Sequence, residues 1–243
     1  MILLDCGNSQ VKAQYHHRGQ LRASFACAYD AGWSGRLARW LQALPASRAY
    51  LCSVLDSDRQ AELDACLAER FGEVTRFRSE ARALGIVNGY LEPPRLGADR
   101  WMALLGAAAM TDGDCIIIDA GSAITVDLLR SDGRHLGGAI LPGFSTSTAT
   151  FKRIFSHIDF DDPAIAETAA PGCSTEAAIQ LDYEHSSLET LPALVSRWMQ
   201  IFENEAGLLL TGGDAPRVQR LLQQPARIVP DLVFRGMLRL VRQ

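Results

Sequence analysis

Short apolar runs that stop abruptly at polar clusters set the rhythm of this chain. Residues 1–5 run apolar into Asp5, a short strand that ends on a carboxylate. VKAQYHH and LRASFACAY follow as strands, with RGQ as the turn between them. WSGRLARWLQAL puts Trp33, Leu37, Trp40, Leu41 and Leu44 on one face at helical spacing. AYLCSVL reads as a buried strand. SDRQAELDACLAERFG, with its Ser/Asp start and Gly72 at its end, reads as a helix, and VTRFR as one more strand.

The pattern then repeats. ILLDCGNSQVKAQYHHRGQLRASF aligns with IIIDAGSAITVDLLRSDGRHLGGAI: Asp5 on Asp119, Gly7 on Gly121, Asn8 on Ser122 and Gly19 on Gly133, all displaced by 114 residues. After the second copy come a helix in PGFSTSTATFKRIF, helices around 174–205, the strand GLLLTGG, a helix from Asp214, the strand ARIV and a helix from Pro230. Each half is strand-strand-strand-helix-strand-helix, so the expectation is two duplicated α/β domains, 1–112 and 113–243, rather than a short-period solenoid. A single α/β domain with two coincidental hairpins is the alternative.

At the first hairpin Gly7 removes a side chain and lets backbone N–H groups approach an anion. Asn8 and Ser9 add neutral donors, and Lys12 adds a positive charge. Asp5 would repel a bare phosphate and makes sense beside a magnesium-bound polyphosphate; an ordinary Asx turn is the plainer alternative. The second copy repeats the theme with Gly121, Ser122, Thr125, Asp119 and Asp127. Gly212-Gly213 before a helix would let a base and ribose lie on the backbone. There is no G-x-x-x-x-G-K-[ST] loop and no protein-kinase motif set.

Composition narrows the classes. The 243 residues are 48% hydrophobic and 21% charged with net charge −4, an ordinary globular balance. Arginines are scattered, and Lys occurs only at Lys12 and Lys152, which argues against a nucleic-acid partner. No run approaches the roughly 18 apolar residues of a membrane helix, and the N-terminus is not expected to be a signal peptide. The cysteines Cys6, Cys27, Cys52, Cys66, Cys115 and Cys173 lack C-x-x-C spacing and are expected to be buried free thiols of a cytoplasmic protein. His16, His17, His135, His157 and His185 are expected to be solvated, and DFDDP at 159–163 to be an acidic surface loop.

Taken together, D-x-G-N-[ST]-x-x-K at 5–12, G-x-D-R at 97–100, D-x-G-[TS]-A-x-T-x-D at 119–127 and the later Gly-Gly pair resemble the type III pantothenate kinases, the family that includes Bvg accessory factors. That resemblance covers nearly the whole chain. It implies two ribonuclease-H-like, actin-like ATPase domains with an interdomain cleft, as in the acetate and sugar kinase and actin superfamily. It implies ATP-dependent phosphorylation of pantothenate to 4'-phosphopantothenate, the first step of coenzyme A biosynthesis. The same resemblance gives Asp5, Cys6, Gly7, Asn8, Ser9, Gln10, Val11, Lys12 and Ser122 as ATP-binding, with magnesium. Asp99 becomes the general base, and Tyr90, Gly97, Ala98, Asp99, Arg100 and Thr175 the pantothenate site. Asp119 becomes the ligand of a monovalent cation, potassium or ammonium, and a homodimer is implied. Without the family, Asp99 would be a helix N-cap, Tyr90 a loop aromatic on Pro93 or Pro94, and Thr175 a helix-start residue. Two positions depart from the pattern: Ser122 replaces the usual Thr but keeps the hydroxyl, and Asp182 stands where Gly is common. A non-catalytic regulator on the same fold is the second reading; intact Lys12, Asp99 and Arg100 speak against it.

Overall fold

A computed structural model describes residues 1–45, 48–158, 171–203, 205–222 and 224–242, with the side chains of 179–188 outside that set. DFDDP and the side chains of Asp182 and His185 therefore lie outside the described residues. The chain forms two compact units. One comprises Met1–Asp112, Asp132–Gly137 and Asp231–Gln243, the other Gly113–Ser131 and Gly138–Pro230.

The first unit begins with β1 (Ile2–Cys6), β2 (Gln10–His17) and β3 (Gln20–Ala28). Helix α1 (Trp33–Gln42), β4 (Ala49–Ser53), α2 (Ser57–Ala68) and β5 (Val74–Arg76) follow. The sheet order is β3-β2-β1-β4-β5, antiparallel through the hairpins and parallel from β1 to β4 to β5. Ile2, Leu4 and Cys6 alternate onto the face that α1 and α2 cover, where Leu37, Leu41, Leu63 and Leu67 complete the core. The expected helical face of α1 buries Trp33, Leu37 and Leu41, whereas Trp40 and Leu44 are only partly covered. The cap of α2 is Asp56, one residue before the expected start, its carboxylate accepting the Arg59 N–H at 3.0 Å.

A small hairpin, β6 (Arg82–Ala83) with β7 (Ile86–Val87), and a 3-10 turn at Pro93–Arg95 lead into α3 (Ala98–Ala107). Every residue of α3 from Arg100 to Ala107 is buried. As its small residues predict, it lies close to another backbone: a Cβ on Gly106 would stand 2.3 Å from the Leu232 carbonyl oxygen.

The second unit repeats the first. It has β8 (Cys115–Ala120), β9 (Ala123–Leu129), β10 (His135–Pro142), α4 (Phe144–Ile154), α5 (Thr175–Met199), β11 (Gly207–Thr211), α6 (Ala215–Leu221) and β12 (Arg227–Ile228). Its sheet order, β10-β9-β8-β11-β12, is the first sheet's order over again. Ile116, Ile118, Val126, Phe144, Leu191 and Leu210 form its core. Helices expected around 174–205 are one helix, α5, which continues through Pro192. Helix α7 (Leu232–Val241) returns to the first unit and packs along α3, with a Gly236 Cβ position 1.9 Å from the Met102 carbonyl oxygen.

Two expectations fail on burial. His16 and His135 are 6% and 2% exposed, not solvated. His16 faces inward because the register shifts after Tyr15, and its Nε2 lies 2.9 Å from Gln14 Oε1. His135 enters the first unit under the loop that follows β7. Of the six thiols, Cys6, Cys52, Cys66 and Cys115 are buried, but Cys27, on an edge strand, is half-buried and Cys173, just before α5, is exposed. Among the described residues no helix is long and apolar enough to cross a membrane.

Candidate active site

Register brings the first set of candidate residues together. Asp5 on β1 pairs with Lys12 on β2 and with Cys52 on β4, so the three side chains form a row on one sheet face, opposite the face of Leu4 and Cys6. In such a pair the Cβ atoms stand about 5 Å apart. Helix α3 packs on β4 from this side. The fully buried Cys52 thiol is pushed up first by burial and then by the Asp5 and Asp99 carboxylates. The hairpin residues Gly7–Gln10 run outward from this row, with Asn8 and Ser9 exposed. Cys6 and Val11 are buried in the core behind them, so within the 5–12 segment their part is to hold the hairpin. Burial, followed by Asp5, also pushes the Cys6 thiol up, so it is not an activated nucleophile.

Asp99 is not the cap of α3. Gly97 is the cap, and Asp99 lies in the first turn, its Oδ1 accepting the Arg100 N–H at 2.8 Å. That fold-back explains Gly97, since a Cβ there would stand 2.5 Å from Asp99 Oδ1. Arg100 is 5% exposed and donates from Nη1 to the Tyr90 hydroxyl at 2.6 Å, with its guanidinium carbon 5.5 Å from the ring centroid. Tyr90 stacks on His135 at 6.0 Å and 17°, rather than on a proline. The Gly89 N–H donates to His135 Nδ1 at 3.3 Å. Asn88 ties the loop by accepting the Tyr90 N–H and donating to the Glu80 and Pro93 carbonyls. Ser79 adds a 2.6 Å bond to the Leu96 carbonyl. His135, Asn88 and Ser79 carried no signal in the sequence, because a single His, Asn or Ser in a loop is ordinary until its partners are known.

The second unit holds a parallel row. Asp119 on β8 pairs with Thr125 on β9 and Thr211 on β11. Its hairpin is one residue shorter than the first: Cys6 pairs with Val11, but Ala120 pairs with Ile124. Thr125 therefore takes the place of Lys12, and a hydroxyl replaces an ammonium opposite the aspartate. Gly212, at φ 87°, lies so close that a Cβ would meet the Ala120 carbonyl at 2.2 Å and Asp119 Oδ1 at 2.5 Å. The Ser122 carbonyl accepts from the Gly143 N–H at 3.0 Å and from Thr146 Oγ1 at 2.5 Å. Thr175 is exposed at the start of α5, where Ser174 caps the helix by accepting the Ala177 N–H at 3.1 Å.

Comparison with known proteins finds relatives over nearly the whole chain. The family model described as type III pantothenate kinase matches residues 1–187. The type III pantothenate kinase of Pseudomonas putida (strain W619) is 36% identical, covering 98% of this chain and 97% of its own. That of Azotobacter vinelandii is 32% identical, with 98% and 96% covered. Among solved structures, a Baf family protein of Campylobacter jejuni superposes with a TM-score of 0.61 at 23% identity, over 100% of this chain and 98% of its own. The inorganic polyphosphate/ATP-glucomannokinase of Arthrobacter sp. strain KM gives 0.50 at 14% identity, over 100% and 99%. These two likenesses bear on the fold alone, a mixed α/β architecture with two five-stranded sheets of the same strand order.

Proposed function

The chain belongs to the type III pantothenate kinase family, and on that premise we propose how its residues divide the transfer of a phosphoryl group from ATP to pantothenate. The observation that carries the proposal is that Asp5 pairs with Cys52 of β4, the strand against which α3 with its Asp99 packs, so the nucleotide hairpin and the substrate helix share one sheet. Asp99 accepts the proton of the primary hydroxyl as its oxygen attacks the γ-phosphorus. A new O–P bond forms, the bond to the β-phosphate bridging oxygen breaks, and ADP leaves with that electron pair. A carboxylate within hydrogen-bond reach suffices for this role. Most of the catalysis is alignment and charge neutralisation, supplied in the first unit by Lys12 and the N–H groups of the 7–10 turn.

Arg100 and Tyr90 hold pantothenate. A buried guanidinium suits the carboxylate of that substrate, and the Tyr90–His135 stack keeps it oriented. Gly97 and Ala98 present the start of α3 to the substrate. Among the described residues no group of three or more His, Cys, Asp or Glu side chains could hold a metal by itself. Magnesium binds through one or two carboxylates plus phosphates and water, and Asp5 would be the carboxylate. When bound, the ion neutralises phosphate charge. Asp119 stands between Thr125 and Thr211 in the strand register, and its carboxylate is the oxygen ligand proposed for potassium or ammonium. A homodimer and a cytoplasmic location complete the proposal.

The test follows ADP release from ATP, magnesium, potassium and pantothenate. Turnover should require pantothenate and rise with the monovalent ion. Asp99→Asn should lose about 10²- to 10⁴-fold in kcat at unchanged melting temperature. Full activity in Asp99→Asn would sink the base assignment, and activity indifferent to potassium would remove the role given to Asp119.

A further inference from the structure

The four-residue turn between Cys6 and Val11 is the exposed part of the nucleotide hairpin, and its backbone is fastened from behind. The Ser9 carbonyl accepts the Tyr29 N–H at 3.3 Å. The Asn8 carbonyl accepts from Arg59 Nη1, across 51 residues of sequence, at 3.1 Å. The Asn8–Ser9 peptide is trans, so its N–H points opposite to its C=O. A guanidinium that grips the Asn8 oxygen therefore turns the Ser9 N–H away from α2.

Arg59 is itself held. Its guanidinium carbon lies 5.1 Å from the Tyr29 ring centroid, and Nη1 is 3.6 Å from Asp56 Oδ2. Its backbone N–H is fixed by the Asp56 cap. Tyr29 stands edge-on to Trp33 at 4.9 Å and 86°, and Trp33 Nε1 donates to Glu62 Oε2 of α2 at 2.9 Å. Stacking and the cap together leave the arginine side chain little freedom, so the grip on Asn8 is preorganised. The side chain remains 42% exposed. Its hydrogen bond joins the start of α2 to the turn, two segments with no ladder between them.

We infer that Arg59 is a positioning residue for the nucleotide: by holding the Asn8 carbonyl it fixes the 7–10 turn in the conformation that meets the phosphates of ATP. The inference rests on the reading that residues 5–12 bind the ATP phosphates. It makes a specific division of effects. Loss of Arg59 should weaken ATP, leave pantothenate binding alone, and spare the transfer step once ATP is saturating.

The experiment compares wild type with Arg59→Met, Arg59→Lys and Lys12→Met, measuring kcat and both KM values and the melting temperature. Arg59→Met keeps the apolar stem but donates nothing, and should raise the ATP KM about tenfold, the scale of one charge-assisted hydrogen bond. Its kcat and pantothenate KM should stay within about twofold of wild type, the scatter of surface substitutions. Arg59→Lys can still donate to the carbonyl and should recover most of the ATP affinity. An unchanged ATP KM in Arg59→Met, or an equal rise for both substrates, would overturn the inference if Lys12→Met still raises the ATP KM. If Lys12→Met leaves it unchanged as well, the reading of the hairpin as the phosphate site is what fails.

Discussion

Gly97 is where one missing methyl group decides the chemistry. A Cβ there would run into the Asp99 carboxylate, so Gly97→Ala must push that carboxylate aside while α3, buried from Arg100 to Ala107, stays put. We expect kcat to fall about 10- to 100-fold with little change in melting temperature, a pairing that activity and thermal unfolding measured on the same sample would check. Asp99, Arg100 and Lys12 stood out in the sequence only through the family motifs that contain them; taken alone, Asp99 would read as a helix N-cap. The orientation of Tyr90 was not legible, since it depends on His135, which lies 45 residues away and is buried by a loop. Cys173 escaped prediction for the opposite reason. Cysteine is apolar enough to suggest burial, but the start of α5 is covered by nothing described.

Strands and helices were legible wherever one face meets the core, because the alternation of β1 and β2 and the helical spacing of α1 record that burial directly. The duplication was legible for the same reason, and the repeated strand order bears it out. What an alignment by fixed offset hid is the one-residue shortening of the second hairpin, which moves Thr125 rather than Val126 opposite Asp119. Turn length, not strand pattern, sets that register. The contact of α3 with α7 was half legible: glycine and alanine in α3 announced a close neighbour without naming it. At Gly236 that neighbour is the Met102 backbone, which cannot swing away as a side chain could. Gly236→Ala should therefore cost about 1–3 kcal/mol through overpacking. At roughly 2–4 °C per kcal/mol for a chain of this size, thermal denaturation would register it, and an unchanged midpoint would show that the helices slide apart without cost.

Across the whole molecule, stability should depend on pH through His16. Burial first, then the N-terminal ammonium and Arg242, hold its pKa below the ordinary 6.5. The unfolded chain then binds the proton more readily, so this contribution is full above about 6.5 and is lost as pH falls from there to the lowered folded value. Denaturant midpoints measured from pH 7.5 down to about pH 5 should decline, and His16→Gln should flatten that decline. The return of α7 to the first unit has a consequence for how the protein is made. The β-strands and α3 that carry Asp5, Lys12 and Asp99 leave the ribosome early, but the helix that covers α3 is encoded about 120 residues after Asp112. At about 5–20 residues per second of synthesis, the nascent first unit waits many seconds with that apolar groove uncovered. Over that interval a chaperone has a hydrophobic surface to hold, and the kinase site is finished only when translation has delivered α7.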